Sequence, residues 1–411
     1  MPLPTELVQA WTLGRRAVRS RAARRALEKR GTAGAAPADG TVRVAVYFAD
    51  TAVNLYQIRQ WYAPLAALAR TVPVAIVVRS PGTMLALLDE SPVPVVYARQ
   101  VVDLEAFVAA HPVAVTLYVN QNAKNFQMMR YGRMWHVFVN HGESDKMYMT
   151  TNQFKAYDYA FVAGDAARAR LAGVLWDYDL DARTFSIGRP QADHVAGDPP
   201  YEPDDRLVVL YAPTWEGDRA AAAYGSISTH GRSLVSALLA TGRHRVVYRP
   251  HPRSGVLDRE YRRAHEQIVA AMREANAADP RAGHVVDLGP ELGWQLGAAD
   301  VAISDVSAMI YDRLATGKPL LVTRPVAPEA EIDENGYLSA AEWLSAEDAV
   351  RIVEIVDALG DDEAAADRLQ RWVAHYFGDT TPGAATRRFE EAVRVLVERR
   401  DERAARDALQ A

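Results

Sequence analysis

The 411-residue sequence contains no cysteine. Disulfide frameworks, thiolate nucleophiles and cysteine-based metal sites are therefore excluded. It also lacks any apolar run of the roughly 18–20 residues that a membrane-spanning helix needs, because its longest apolar runs have the length of β-strands. The formal net charge of −5 gives no general case for nucleic-acid binding. The 49% hydrophobic and 24% charged residues are typical of a globular protein.

Residues 1–30 differ from the rest of the chain, because they hold eight basic residues against two acidic ones. They lack the apolar core and the cleavage site of a secretory signal. Their apolar residues include Leu7, Val8, Trp11 and Leu13. The segment predicts a basic helix on an anionic membrane surface, with a solvated tail as the alternative. Residues 1–40 would then be this helix and a linker, in a cytoplasmic protein at the inner face of the membrane.

Strand-like runs rich in Val, Ile and Tyr alternate with helix-length segments in both halves of the chain. These runs are apolar on both faces, as buried parallel strands are. The Pro- and Asp-rich stretch 189–205 interrupts the alternation and marks a predicted domain junction. We therefore predict two doubly wound α/β domains, 41–195 and 205–380, which face each other across a cleft. A charged C-terminal helix is predicted over 381–411.

Polar clusters follow four of the predicted strands. "HGESDK" (141–146) ends a strand of the first domain, while "APTW" (212–215), "RPHP" (249–252) and "SDVSAMIYD" (304–312) end strands of the second. Ligands of doubly wound folds bind beyond the carboxyl ends of the strands. Each cluster alone has an ordinary structural explanation, such as a turn, a rigid proline loop or a helix cap. Together, the four favour a ligand site.

The residue types in these clusters favour phosphate chemistry. Arg249 suits bidentate contact with a diphosphate, and the neighbouring His251 could donate a proton or hydrogen bond to a leaving group. Ser304 or Asp305 could cap the following helix, whose first N–H groups would bind an anion. No glycine-rich dinucleotide or P-loop fingerprint opens that helix. We predict no metal site and no cofactor, although the sequence does not exclude binding of a divalent metal ion.

The ordered set of motifs resembles the CDP-glycerol glycerophosphotransferase family, the teichoic-acid primases and polymerases, over roughly residues 130–380. The resemblance implies a GT-B-like fold of two Rossmann-like domains, with the activated donor bound mainly by the C-terminal one. It also implies that the two motif histidines, His141 and His251, are the functional residues. Three features depart from the family pattern: Glu216 stands where arginine is frequent, Ala308 where serine is usual, and Ser144-Asp145 where proline is more frequent.

We therefore predict a transferase that moves glycerophosphate, or a related alditol phosphate, from a CDP-activated donor to an acceptor hydroxyl. CMP is released, and the product is a teichoic-acid-like or capsule-like polymer. His141 is the predicted base, His251 stabilises the leaving phosphate, and Gly142 and Lys146 contact phosphate or acceptor. The predicted donor-binding residues are Thr214, Trp215, Arg249, Ser304, Asp305, Ser307, Ala308 and Asp312. The predicted partners are CDP-glycerol or a similar CDP-alditol, a lipid-linked or glycan acceptor and an anionic membrane, without nucleic acid.

Two other functions stay open at this point. A GT-B glycosyltransferase would use a nucleotide sugar and attack carbon instead of phosphorus, while similar motifs contact the diphosphate. A catalytically silent scaffold of an envelope-polymer complex would carry the fold without the activity, and Glu216 and Ala308 are the residues that leave this open.

Overall fold

The structure of the protein is a computed structural model. It describes residue 18 and residues 20–31, 36–142, 151–194, 197–289, 292–332 and 336–410. The predicted contact residue Lys146 and the apolar residues Leu7, Val8, Trp11 and Leu13 lie outside these ranges. In the described part of the chain, no helix is both long enough and apolar enough to cross a membrane.

The first half of the chain forms a seven-stranded parallel sheet with the order β3-β2-β1-β4-β5-β6-β7. Its strands are β1 (Val44–Phe48), β2 (Val74–Val78), β3 (Val95–Tyr97), β4 (Val115–Tyr118), β5 (Trp135–Phe138), β6 (Tyr159–Val162) and β7 (Thr184–Ser186). Its helices are α1 (20–30), α2 (Leu55–Arg59), α3 (Tyr62–Leu68), α4 (Pro81–Glu90), α5 (Val101–Ala110), α6 (Asp165–Val174) and α7 (Leu180–Arg183). We call this sheet and its helices the first lobe.

The second half forms a six-stranded parallel sheet with the order β10-β9-β8-β11-β12-β13. Its strands are β8 (Leu207–Ala212), β9 (His244–Tyr248), β10 (Val285–Val286), β11 (Val301–Ser304), β12 (Leu320–Thr323) and β13 (Glu342–Leu344). The helices after β8 are α8 (Arg232–Ala240), α9 (Arg259–Ala278), α10 (Trp294–Ala298), α11 (Ala308–Leu314), α12 (Ile352–Asp361), α13 (Glu363–Phe377) and α14 (Ala384–Gln410). We call this sheet with α8–α13 the second lobe.

The predicted fold class is confirmed, because both sheets are parallel and doubly wound. Strands β1, β2 and β4 are buried along their whole length, as strands covered by helices on both faces must be. The strand order reverses between β1 and β4 in one sheet and between β8 and β11 in the other. Each reversal opens a crevice at the carboxyl edge of its sheet, where doubly wound folds bind ligands.

Two details of the fold are not evident from the sequence. Residues 57–70 have the apolar spacing of one helix, yet they are divided between α2 and α3, and the side chain of Trp61 between these helices is buried in the core. The short strand β13, whose sequence is only "EWL", extends the second sheet beside β12. It was not predicted because three residues carry too little alternation to identify a strand.

The long helix α14 packs against the first lobe, although it follows the second lobe in sequence. Its residues Phe389, Val393 and Leu396 belong to the core beneath the first sheet. The ring of Phe389 lies 5.2 Å from that of Trp61. The chain therefore passes from the first lobe to the second and back again, so that two segments join the lobes.

Candidate active site

The loop after β5 is shaped by Asn140, a non-glycine residue in the left-handed region with a φ of 57°. Asparagine tolerates this conformation better than most residues, because its side chain can bond the local backbone. The Asn140 Oδ1 accepts from the backbone N–H of His141 at 2.8 Å, and its Nδ2 donates to the carbonyl of Gly142. The indole N–H of Trp61 donates to the Asn140 carbonyl at 2.6 Å. These bonds fix the direction in which His141 leaves the sheet.

The imidazole of His141 has a defined tautomer. Its Nδ1 lies 2.8 Å from the carbonyl oxygen of Val119, which only accepts hydrogen bonds, so Nδ1 must carry the proton. The other nitrogen, Nε2, therefore has a free lone pair in the neutral ring. Burial lowers the pKa of His141; the Val119 hydrogen bond raises it by less, and the charge of Arg189 lowers it further. His141 is therefore a neutral base near pH 7.

Arg189 connects this histidine to the second lobe. It follows β7 and lies close enough to His141 to lower its pKa. Its guanidinium pairs with the carboxylate of Asp312 on α11, and both side chains are largely buried. The carboxyl edge of the first sheet thus meets the helix that follows β11. A second nitrogen of Arg189, Nη1, is buried and has no hydrogen-bond partner among the described residues.

His251 has the opposite tautomer. Its Nδ1 accepts the backbone N–H of Arg253 at 3.1 Å, and because an N–H only donates, the proton of the neutral ring must be on Nε2. The ring is exposed to solvent. Partial burial and the Arg253 charge lower its pKa, with Glu216 acting in the other direction. His251 therefore offers an N–H donor where His141 offers a lone pair.

Glu216 holds the loop that carries His251. Its carboxylate accepts three backbone N–H groups, from Gly255 at 2.9 Å, Leu257 at 2.7 Å and Asp258 at 3.0 Å. Although burial raises the pKa of Glu216, these hydrogen bonds lower it by more, and the net shift is downward. The negative charge of Glu216 is thus compensated by the N–H groups of the loop, which it holds in place.

Asp305 is fully buried at the reversal of the second sheet. It accepts the N–H of Thr214 at 2.7 Å, the N–H of Ser226 at 3.1 Å and the hydroxyl of Thr323 at 2.6 Å. Burial raises the pKa of Asp305 to about 6, against the effect of these hydrogen bonds. Through these hydrogen bonds, Asp305 holds the loop after β8 next to the end of β12. It therefore stabilises the crevice from inside the sheet.

The helix cap differs from the prediction. Ser307, rather than Ser304 or Asp305, caps α11, because its Oγ accepts the N–H of Met309. Ser304 is buried and its hydroxyl bonds the carbonyl of Ala212. Ser307 is half-buried and Ala308 is exposed. Of the predicted donor residues at 304–308, Ser304 and Asp305 are thus buried, while Ser307 and Ala308 are accessible to solvent.

The remaining predicted donor residues lie around the same crevice. Arg249 pairs with Asp287 in a partly buried ion pair. Trp215 is half-buried, and the guanidinium of Arg253 lies 3.7 Å from its ring centroid. Thr214 is held from both sides, since the hydroxyl of Tyr261 also donates to its carbonyl at 2.5 Å. Among the described residues, no group of three His, Asp or Glu side chains is arranged to hold a metal ion.

Residues 134–394 match the family described as CDP-Glycerol:Poly(glycerophosphate) glycerophosphotransferase. The chain belongs to this family. The match covers more than half of the sequence and contains all four motifs, from His141 to Asp312. The predicted enzyme class, a CDP-glycerol glycerophosphotransferase, is thereby confirmed.

Solved structures support the fold of this glycerophosphotransferase. The wall teichoic acid polymerase TagF superposes with a TM-score of 0.54 at 11% identity, over 87% of this chain and 90% of that chain. A TagF histidine variant soaked with CDPG gives 0.53 at 10% identity, over 88% and 90%. A UDP-N-acetylglucosamine 2-epimerase from Listeria monocytogenes gives 0.52 at 14%, over 85% and 95%. The predicted GT-B-like arrangement is confirmed. A search of curated proteins gave no significant match.

Sequence reasoning missed Arg189, although a signal was present. The dipeptide Arg-Pro follows β7 as Arg189-Pro190, just as it follows β9 as Arg249-Pro250. Both arginines follow the carboxyl end of a strand and pair with a partly buried carboxylate, that of Asp312 or that of Asp287. The stretch was treated as a linker because it is rich in proline and aspartate.

Proposed function

We propose that the chain transfers glycerophosphate from CDP-glycerol, or from a similar CDP-alditol, to a hydroxyl of a lipid-linked or glycan acceptor. The acceptor oxygen attacks the phosphorus that carries the alditol. The bond from this phosphorus to the bridging oxygen breaks, and CMP leaves. The observation that carries the proposal is the pair of opposite tautomers, a lone pair at His141 Nε2 and an N–H at His251 Nε2.

In this reaction His141 accepts the proton of the attacking hydroxyl. Its lowered pKa keeps Nε2 unprotonated near neutral pH, and the Val119 carbonyl stabilises the imidazolium that forms, because Nδ1 donates to it. A positioned general base contributes about 10²–10⁴-fold to the rate. The fixed loop geometry at Asn140 keeps the ring in one orientation before substrate arrives.

His251 acts on the leaving group. A phosphate such as CMP is a weak base at neutral pH, with a second pKa of about 6. It therefore leaves without full protonation, and a hydrogen bond from Nε2–H to the departing oxygen is sufficient. The exposed ring of His251 and the loop fastened by Glu216 place this donor in the second lobe, which would carry the nucleotide.

Arginines of both lobes stabilise the phosphoryl charge. Arg249 lies beside His251 and contacts the diphosphate, while Asp287 orients its guanidinium. Arg189 lies close enough to His141 to lower its pKa, and its guanidinium, which pairs with Asp312, would add positive charge on the side of the transferred phosphoryl group. Cationic side chains that are already oriented, in a site from which water is partly excluded, strongly stabilise the negative charge that develops on the phosphoryl group. They do not have to reorient during the reaction.

The crevice between β8 and β11 would bind the nucleotide. Thr214, Trp215, Ser307 and Ala308 form its surface, and Asp305 and Ser304 support it from within the sheet. Asp312 acts differently from the sequence prediction, since its carboxylate is paired with Arg189. We assign Asp312 to the joint between the lobes, where it orients Arg189 instead of contacting the donor.

A donor screen tests the proposal. Purified protein is incubated with CDP-glycerol, CDP-ribitol and UDP-sugars, and the released nucleotide is identified. We expect CMP from a CDP-alditol and no nucleoside diphosphate from any UDP-sugar. Release of a nucleoside diphosphate would instead support the nucleotide-sugar glycosyltransferase. If no donor is consumed and CDP does not bind in calorimetry, the chain is a scaffold.

We further propose that α1 lies on an anionic membrane surface. Leu27 anchors this helix in the core of the first lobe, and Arg30 pairs with Asp89. The side chains of Arg21, Arg24, Arg25 and Lys29 on this helix are exposed as well, and Arg24 pairs with Glu28. Each basic residue near such a surface contributes about 1 kcal/mol, and the attraction falls with salt.

Liposome sedimentation tests this localisation. Full-length protein should pellet with anionic vesicles at low salt and release at high salt. Replacement of Arg21, Arg24, Arg25 and Lys29 by glutamine should reduce pelleting and leave turnover of a water-soluble acceptor unchanged. Equal pelleting of this variant and the wild type would show that α1 is not the contact. Leu27 is left in place because its burial stabilises the lobe.

A further inference from the structure

Arg253 follows His251 by two residues in the loop after β9, and no motif of the sequence analysis includes it. The loops after β8 and β9 continue side by side past the ends of their strands, because the N–H of His251 bonds the carbonyl of Pro213 at 3.2 Å. Two residues further along both loops, Arg253 and Trp215 are therefore neighbours. The guanidinium carbon of Arg253 lies 3.7 Å from the centroid of the Trp215 ring.

The contact with Trp215 leaves the hydrogen-bond donors of Arg253 available. At 3.7 Å two flat groups are in contact through their faces, whereas the N–H groups of a guanidinium lie in its plane and point outward from its edge. A stacked arginine can therefore still donate two N–H groups to one phosphate. A cation on an aromatic ring is stabilised by about 0.5–1 kcal/mol at an exposed site, so Trp215 orients the guanidinium before an anion binds.

The charge of Arg253 differs from that of the two other arginines described at the cleft, because those two are paired. Arg249 pairs with Asp287, and Arg189 pairs with Asp312, in ion pairs that are largely buried. Arg253 is exposed, and no carboxylate of the described residues lies within ion-pair distance of its guanidinium. Arg253 can therefore offer an unpaired positive charge to an anionic ligand, whereas the charge of each buried arginine is already balanced.

The pair of Arg253 and Trp215 lies beside His251. The ring centroids of His251 and Trp215 are 6.4 Å apart, and the backbone N–H of Arg253 donates to His251 Nδ1 at 3.1 Å. Besides partial burial, the charge of Arg253 lowers the pKa of His251, which places the guanidinium close to the ring. The carboxylate of Glu216 acts on this pKa in the other direction, but it accepts three backbone N–H groups. An anion that accepts the hydrogen bond of His251 Nε2 would therefore also be close to the Arg253 charge.

We infer that Arg253 binds the diphosphate of the donor and stays in contact with the nucleotide phosphate as it leaves. The inference rests on the proposed function, because it adds a substrate-binding residue to the same reaction. When the bond from phosphorus to the bridging oxygen breaks, its electron pair goes to that oxygen, and the negative charge on the leaving phosphate rises. The guanidinium of Arg253 and the Nε2–H of His251 stabilise this charge together. Trp215 is a positioning residue that orients Arg253.

Calorimetric titration of the full-length chain with CDP tests the contact. Arg253→Gln should weaken CDP binding about tenfold to a hundredfold, the effect of losing a hydrogen bond between charged groups. Arg253→Lys keeps the charge and should bind CDP several-fold more tightly than Arg253→Gln does. Arg263→Gln, the same change on the exposed face of α9, is the matched control and should bind like the wild type. Absent CDP binding to the wild type, wild-type affinity in Arg253→Gln, or equal affinities of the lysine and glutamine variants each overturns the inference.

Kinetics separate this inference from the proposed function. With CDP-glycerol as the donor, Arg253→Gln should raise the KM for the donor about tenfold or more and leave the KM for the acceptor unchanged. If the wild type releases CMP but the donor kinetics of Arg253→Gln are those of the wild type, only the role of Arg253 is wrong. If CDP binds in an Arg253-dependent way but no donor yields CMP, the proposed function is wrong and the diphosphate contact stands. A thermal melt like that of the wild type confirms that Arg253→Gln is folded.

Discussion

The loops that carry His141 and His251 both follow a parallel strand at its carboxyl end, yet they treat the imidazole in opposite ways. In the first lobe the backbone offers the ring a carbonyl, so Nδ1 donates and Nε2 is left as a base. In the second lobe the backbone offers an N–H, so Nδ1 accepts and Nε2 is left as a donor. The same residue type thus takes two roles because of one backbone atom at each site.

The two loops also differ in how they are held. His141 is preceded by Asn140, whose left-handed backbone and side chain aim the ring. His251 is followed by a loop that Glu216 fastens through three N–H groups. The ring of His141 is therefore oriented by the neighbouring residue, whereas the loop of His251 is held by a carboxylate that is distant in the sequence. Substitutions should separate the two kinds of support.

Removal of either ring should give the largest effect. We expect His141→Ala and His251→Ala each to lower the turnover of CMP release by about 10²–10⁴, the usual contribution of positioned acid–base groups. His375→Ala, at an exposed position on α13, is the matched control and should keep wild-type turnover. Near wild-type turnover in either active-site variant would remove that histidine from the mechanism.

Replacement of each histidine by glutamine should lower turnover to different extents at the two positions. A glutamine amide can donate from the place of Nε2 but cannot act as a base near pH 7. His251→Gln should therefore keep about tenfold more turnover than His251→Ala, the effect of one hydrogen bond of about 1.4 kcal/mol. His141→Gln should be as slow as His141→Ala. Recovery by glutamine at 141 but not at 251 would reverse the assigned roles.

The pH profile should depend on Arg189. The base is active above its pKa, and because the pKa of His141 is lowered, the acid limb of kcat should lie below the ordinary histidine value of about 6.5. Arg189→Gln removes a charge that lowers this pKa, so the acid limb should move to higher pH. Asp312→Asn leaves the arginine charge in place and should not move the limb upward. An unchanged limb in Arg189→Gln would show that the charge does not act on His141.

The support of the second loop should give the smallest effect. Glu216→Gln replaces a charged acceptor of three N–H groups by a neutral one, and we expect the KM for the donor to rise about threefold to tenfold. The acceptor KM should stay unchanged, because Glu216 lies in the second lobe. Glu105→Gln, on the exposed face of α5, is the control. A wild-type donor KM in Glu216→Gln would mean that the loop keeps its shape without the charge.

Much of the fold could be predicted from the sequence, because buried parallel strands leave long runs of β-branched residues such as "VAIVV" at β2. The position of α14 could not be predicted in the same way. Its amphipathic pattern shows that one face is buried, but not that Phe389 would pack beside Trp61 in the first lobe. Contacts between residues this distant in sequence depend on the whole fold.

The sequence predicted candidate site residues at the ends of the strands, but it did not predict which residues they contact. The motif residues were found because each follows an apolar run, yet their partners were not. Asp305 turned inward to Thr214 and Thr323, and Asp312 turned to Arg189. A sequence shows which residues can carry charge, but whether a carboxylate faces a ligand or a neighbouring loop is decided by burial.

The two chain crossings between the lobes have a mechanical consequence. The first crossing leaves β7 through Gly188, and the second runs from α13 into α14. They touch, because a side chain at Gly188, whose φ is 73°, would come within 3.0 Å of the Phe377 carbonyl. The N–H of Thr386 also bonds the carboxylate of Asp193 at 2.6 Å. Two segments bonded to each other resist twisting more than a single segment does, so the joint should hold the two lobes in one relative orientation more firmly than a single linker would.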